Sequence, residues 1–151
     1  MGCVLHFVGD SANVEELLRL TPVEPCAVYR KGVPRSTRPA ARPSRTSGVS
    51  MVVSAADFDC LELQQAEAIA FLRQHHSALS AMRHVQGVKA GSLDFGISMR
   101  NVIAQSDAFE PELLVEIASL GLQLVLSQYP TVKGRGKKIK QYRRALRNNA
   151  A

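Results

Sequence analysis

Apolar and polar residues alternate along 93–98 and 122–129, whereas apolar residues recur at three- and four-residue steps in 14–18, 61–85 and 113–118. The first pattern is that of strands with one buried face, the second that of helices with an apolar stripe. Residues 3–9 are a short β-prone apolar run closed by Gly9-Asp10, which predicts a first strand. Asn13 then stands where a helix cap belongs, with Glu16 three residues on, and Val14, Leu17 and Leu18 supply the stripe before Pro22. Residues 26–31 and 49–54 predict the second and third strands. One long helix is expected from about Leu61 to Val85, with Ala66, Ile69, Leu72, Leu79 and Met82 on one face and Gly87 as its stop. Leu93, Phe95 and Ile97 alternate with Asp94, Gly96 and Ser98 in a strand, and residues 101–106 are expected to continue as a further strand after a bend. Pro111 fits the first turn of a last helix carrying Leu113, Leu114, Ile117 and Ala118, and Leu122 to Tyr129 closes the series as a strand.

The predicted order is β-α-β-β-α-β-(β)-α-β. This suits one α+β domain over residues 1–130, a mostly antiparallel sheet with helices packed on one face, in a ferredoxin-like sandwich. Two segments do not fit into that body. Residues 32–48 hold Pro34, Pro39 and Pro43 and no large apolar side chain except Val33, so they read as a mobile loop. Residues 131–151 follow Pro130 as a basic C-terminal tail, helix-compatible after Gly136.

Charge separates these segments from the body. The formal net charge is +6, but residues 30–45 carry six basic residues and residues 133–147 carry eight, with no acidic residue in either. The remainder has five basic and thirteen acidic residues, so two basic arms sit on an acidic body. Arg35, Arg38, Arg42 and Arg45 in the loop and Lys137, Lys138, Lys140, Arg143 and Arg144 in the tail are therefore the candidate partner-binding residues. Arg is the better bidentate ligand for carboxylate or phosphate, and it outnumbers Lys five to one over residues 30–45. The arms can dock on an acidic protein or contact nucleic-acid phosphates, and the tail can equally be a solvated terminus.

Composition narrows the chemistry. No Trp and only 5% aromatic residues leave little for base stacking. Cys3, Cys26 and Cys60 are an odd, widely spaced set, expected as reduced thiols of a cytoplasmic protein and not as a zinc site. No signal peptide is expected, and no apolar run reaches the roughly 18 residues of a membrane helix. Met1-Gly2-Cys3 opens like a lipidation signal, but His6 stands where myristoylation needs Ser or Thr. There is neither a nucleophile elbow nor a phosphate loop. His75 and His76 are expected mid-helix and diverge by about 100°. Asp57 and Asp59 are expected to serve the start of the long helix. The one enzymatic arrangement left would join Asp94 and His76 over the sheet. The expectation is therefore a protein with no catalytic residues, no cofactor and no metal.

Ser92-Leu93-Asp94-Phe95-Gly96, then Ser106 to Leu114 with Phe109 and Pro111, then Leu120-Gly121 and Leu124 to Tyr129, carry a resemblance. So do Phe7-Val8-Gly9-Asp10, Leu17-Leu18, Pro22 and Lys31-Gly32. Over about residues 5–130 the chain resembles a family of small bacterial α+β proteins of uncharacterised function, some of whose members look like immunity proteins. It departs from them at Val49, where they often carry Trp, and at Gln128, where they often carry an acid. The resemblance implies a binding protein for a partner such as a toxin, and no catalytic residues.

Overall fold

The computed structural model describes residues 2–38 and 40–130. Strand β1 (Cys3–Gly9) sits at the centre of the sheet. Its alternation is strict: Cys3, Leu5 and Phe7 are fully buried, while Val4, His6 and Val8 are half-buried on the other face. β1 pairs antiparallel with β3 (Ser47–Ser54) on one side and with β4 (Ala90–Met99) on the other. β2 (Ala27–Tyr29) lies antiparallel outside β3, and β5 (Gln123–Pro130) lies parallel outside β4. The sheet order is β2-β3-β1-β4-β5. The described residues thus form an α+β fold, with four helices on a five-stranded, mostly antiparallel sheet.

Helix α1 (Val14–Leu20) begins at Asn13, whose side chain accepts the Glu16 N–H at 3.2 Å. It buries Val14 and Leu17. Helices α2 (Leu61–Gln74), α3 (His76–Arg83) and α4 (Pro111–Ser119) complete one layer. Leu17, Ala68, Leu72, Leu79, Met82, Leu113 and Ile117 meet Leu5, Phe7, Met51, Leu93 and Phe95 in a single core. Each large side chain buried there contributes about 1.5–3 kcal/mol relative to exposure. All four of these helices occupy the same face, and no helix among the described residues covers the second face of the sheet. The parallel step from β4 to β5 needs a crossover, and α4 provides it. At the end of β3 the register shifts by one residue, which turns Ser54 toward the helices, where its hydroxyl donates to Glu67.

Three expectations change. The long helix over 61–85 is two helices broken at His75, which has φ −111° and ψ 14°. His75 and His76 therefore stand at a junction and not mid-helix. Residues 101–106 form no strand: Arg100 N–H donates to Gln105 Oε1, and the guanidinium bonds Ser106 O and Asp107, folding this stretch into a loop. Ile103 is fully exposed there and has no strand to join. The second strand is three residues long, not six.

Candidate functional site

The uncovered sheet face and the hairpin above it hold most of the polar side chains that the topology gathers. β2 is short, but the chain after it continues as an extension of the β2–β3 hairpin. Gly32 N–H donates to Ser44 O and Ser44 N–H to Val33 O, both at 2.9 Å, and Pro34 bridges Pro43. Lys31 N–H donates to Ser47 Oγ at 3.0 Å. Residues 32–34 are thus tied to 43–44 at the base of this segment. Gly32 takes φ 82° at its base, with open space where a side chain would lie.

Arg35 folds back from this extension onto the sheet. Its guanidinium lies 4.3 Å from the Tyr29 ring centroid, and its Nε donates to the buried Ser44 hydroxyl at 3.2 Å. Arg38, Arg42 and Arg45 stand exposed, and their side chains have no hydrogen-bond or ion-pair partner among the described residues. The loop arginines therefore divide into one that anchors and three that project. Lys137, Lys138, Lys140, Arg143 and Arg144 lie outside the described residues.

From Tyr29 a polar stripe runs across the open face. Ser50 donates to the Tyr29 hydroxyl at 3.1 Å, and His6 Nδ1 meets Ser50 Oγ at 2.6 Å. With the Ser50 proton given to Tyr29, the His6 bond runs from Nδ1–H, which leaves Nε2 as the acceptor of a neutral ring. Burial holds the His6 pKa below its ordinary value; the negative Asp94 opposes this and Arg35 adds to it. Asp94 accepts from Ser127 at 3.0 Å, and its second carboxylate oxygen is buried without a partner among the described residues. At the β5 end of this face, Phe58 stacks on Tyr129 with centroids 4.7 Å apart, directly over Gly96. A Cβ there would come within 2.8 Å of the Phe58 ring.

A Ser–His contact at 2.6 Å has the reach of a nucleophile and its base. However, Ser50 is 1% exposed and already shares its hydroxyl with Tyr29, so its oxygen cannot approach a substrate. The Tyr29–Ser50–His6 part of the stripe is a satisfied polar seam. Asp94 and His76 are not brought together either. Asp94 lies on the open face, whereas His76 sits in the helix layer, 3.4 Å from Ser119. His84 caps α3 and bonds Ser80 O at 2.7 Å. His75 packs edge-on against Phe71. Asp57 serves the start of α2 through its carbonyl, which accepts from Cys60 N–H and Gln64 Nε2, and not through its carboxylate. A cleft of about 570 Å³ opens beside the start of α2, lined by Asp59, Glu62, Asp107 and Glu110 and by Arg100, which is itself paired with Asp107. No cluster of metal-binding side chains occurs among the described residues, and no helix among them is long and apolar enough to cross a membrane.

A second surface was not legible as a site at all. β5 has only β4 beside it among the described residues, and its eight residues carry no charge. Leu124, Val125, Leu126 and Tyr129 are all more than a third exposed. The sequence signal was present, an apolar strand without a gatekeeping charge, but its place at an edge depends on the topology. No protein family, no curated protein and no solved structure matches this chain, so its function is argued from these two edges and the seam between them.

Proposed function

We propose that this is a non-enzymatic binding protein that grips an acidic partner protein through the arginine hairpin over residues 32–47. The observation behind this reading is the division among the loop arginines. Arg35 is committed to Tyr29 and Ser44, while Arg38, Arg42 and Arg45 project without side-chain partners among the described residues. The backbone bonds of Gly32, Val33 and Ser44 hold the base of the segment that carries them, which lowers the ordering cost of binding. The acidic body behind them favours a compact acidic surface over a long polyanion. In this reading the first four strands and their helices form a ferredoxin-like unit, with α4 and β5 added at its edge. The resemblance to small bacterial proteins suggests the immunity-like form of the same function, with a toxin as the partner.

The test is affinity capture from the native host by the full chain and by a variant carrying Arg38→Glu, Arg42→Glu and Arg45→Glu. The wild type is expected to retain a discrete acidic protein at physiological salt, and the variant to lose it by about 10–100-fold, the effect of reversing a few interfacial charges. Equal capture by both proteins would defeat the proposal. Binding of a random DNA duplex at low salt, with a steep salt slope lost in the variant, would support the nucleic-acid reading in its place.

A further inference from the structure

We infer that β5 is a self-pairing edge, and that two copies of the chain join through it into one continuous ten-stranded sheet. An edge strand exposes a row of unpaired backbone donors and acceptors, and monomers usually guard it with short length, charge or proline. β5 has none of these along its course: it is eight residues long, uncharged, and meets proline only at its last position, Pro130. It carries apolar side chains on both faces, interspersed with the uncharged Gln123, Ser127 and Gln128. Leu124 and Leu126 share the helix side with their partners Leu93 and Phe95, and Val125 and Tyr129 lie on the open side.

The helix above the edge points to the same occupant. On α4, Glu112 and Glu116 turn toward α2, where both bind Arg73. Leu114 lies two residues from each, about 200° round the helix. It therefore faces away from α2, on the β5 side, and is 43% exposed. The two acids of α4 are thus paired with Arg73 and turned away from the edge. A two-fold interface sets each residue against the same surface of its partner, so such a patch must be compatible with itself. β5 and Leu114 meet that requirement, and a charged partner would gain nothing from them. The two-fold axis stands perpendicular to the sheet, runs β5 antiparallel to its copy, and brings α4 beside α4 with Leu114 at the seam. The two arginine hairpins come to lie at the far edges, about 40–45 Å apart at the usual strand spacing.

Sedimentation of the full chain at about 100 µM, with reductant present so that Cys26 and Cys60 cannot cross-link copies, tests the inference. The wild type is expected at twice the 16.4 kDa chain mass. Val125→Lys places a charge in the seam on the open face, and Leu114→Lys places one on the helix face. Each is expected to weaken association at least 10-fold while leaving the thermal midpoint of the dilute protein within a few degrees. Two partly exposed positions on different elements keep the test valid if one variant folds poorly. A wild-type monomer at this concentration would overturn the inference and leave β5 to a strand from another protein. A dimer that both variants retain would overturn it too, by placing the interface elsewhere.

Discussion

The two edges of the sheet answer the same physical problem in opposite ways. At the β2 edge the strand is three residues long, and the chain beyond it is crowded with Pro34, Pro43 and arginines. Each of these features blocks strand addition, because proline removes donors and like charges repel. At the β5 edge eight uncharged residues lie open on both faces. The first edge can take a charged surface through side chains and resists backbone pairing; the second can take a strand and offers no charge. The difference between them separates a surface for an acidic partner from a surface for the protein's own copy.

The most damaging way to break the comparison is to remove what both edges share. Phe95 is fully buried on β4, touches Phe109 edge-on at 5.3 Å and lies opposite Leu126 of β5. Phe95→Ala is expected to cost about 3–5 kcal/mol in urea unfolding, with both edges lost together. A cost below about 1 kcal/mol would contradict the single core described here.

A substitution at Gly96 sharpens the contrast by acting at one edge. Gly96→Ala forces the Phe58–Tyr129 stack to move, at an expected cost of about 1–3 kcal/mol. Amide exchange should quicken along residues 123–130 and stay unchanged at 27–29. Equal quickening at β2 would show that the edges are not independent. At the other edge, Tyr29→Ala removes the Arg35 platform and the Ser50 partner, an expected loss of about 1 kcal/mol confined to the hairpin. Faster exchange at Lys31 and Ser44 with β5 unaffected is the expected outcome.

The smallest effect lies in the seam between the edges. His6 has a folded pKa below its ordinary value of 6.5, so the unfolded chain binds the proton more readily. The stability this contributes is fully present above pH 6.5 and is lost as the pH falls through the folded value. His6→Gln should flatten the pH dependence of the urea midpoint in that window; an unchanged slope would remove His6 as its source.

Much of this architecture is visible in local pattern, and the rest is hidden for definable reasons. β1 announces itself by its short apolar run closed at Gly9-Asp10, β4 by alternation, and α1 by Asn13 and Glu16, because these signals lie within a few neighbouring residues. The break at His75 does not show, because Leu72, Leu79 and Met82 keep an unbroken helical spacing across it while the backbone turns. Val102 and Ile103 are β-prone, yet they have no strand to pair with, and Arg100 ties their segment into a loop. The bonds that join Gly32 and Val33 to Ser44 leave no trace in the composition of 32–48, because they follow from the register of β2 on β3. The contact of His6 with Ser50 spans 44 positions, and Asp94 and His76 fall on opposite sides of the sheet. Only the strand order decides such meetings.

The central claim is that the two edges behave differently toward a second copy. Hydrogen–deuterium exchange of the full chain across about 1–100 µM measures this most directly, because pairing protects the outward amides of the strand that pairs. The account predicts slowing with concentration at residues 123–130, about 10-fold or more, and no change at 27–29 or in the hairpin. Exchange along β5 that is independent of concentration, or slowing confined to the β2 edge, would contradict it.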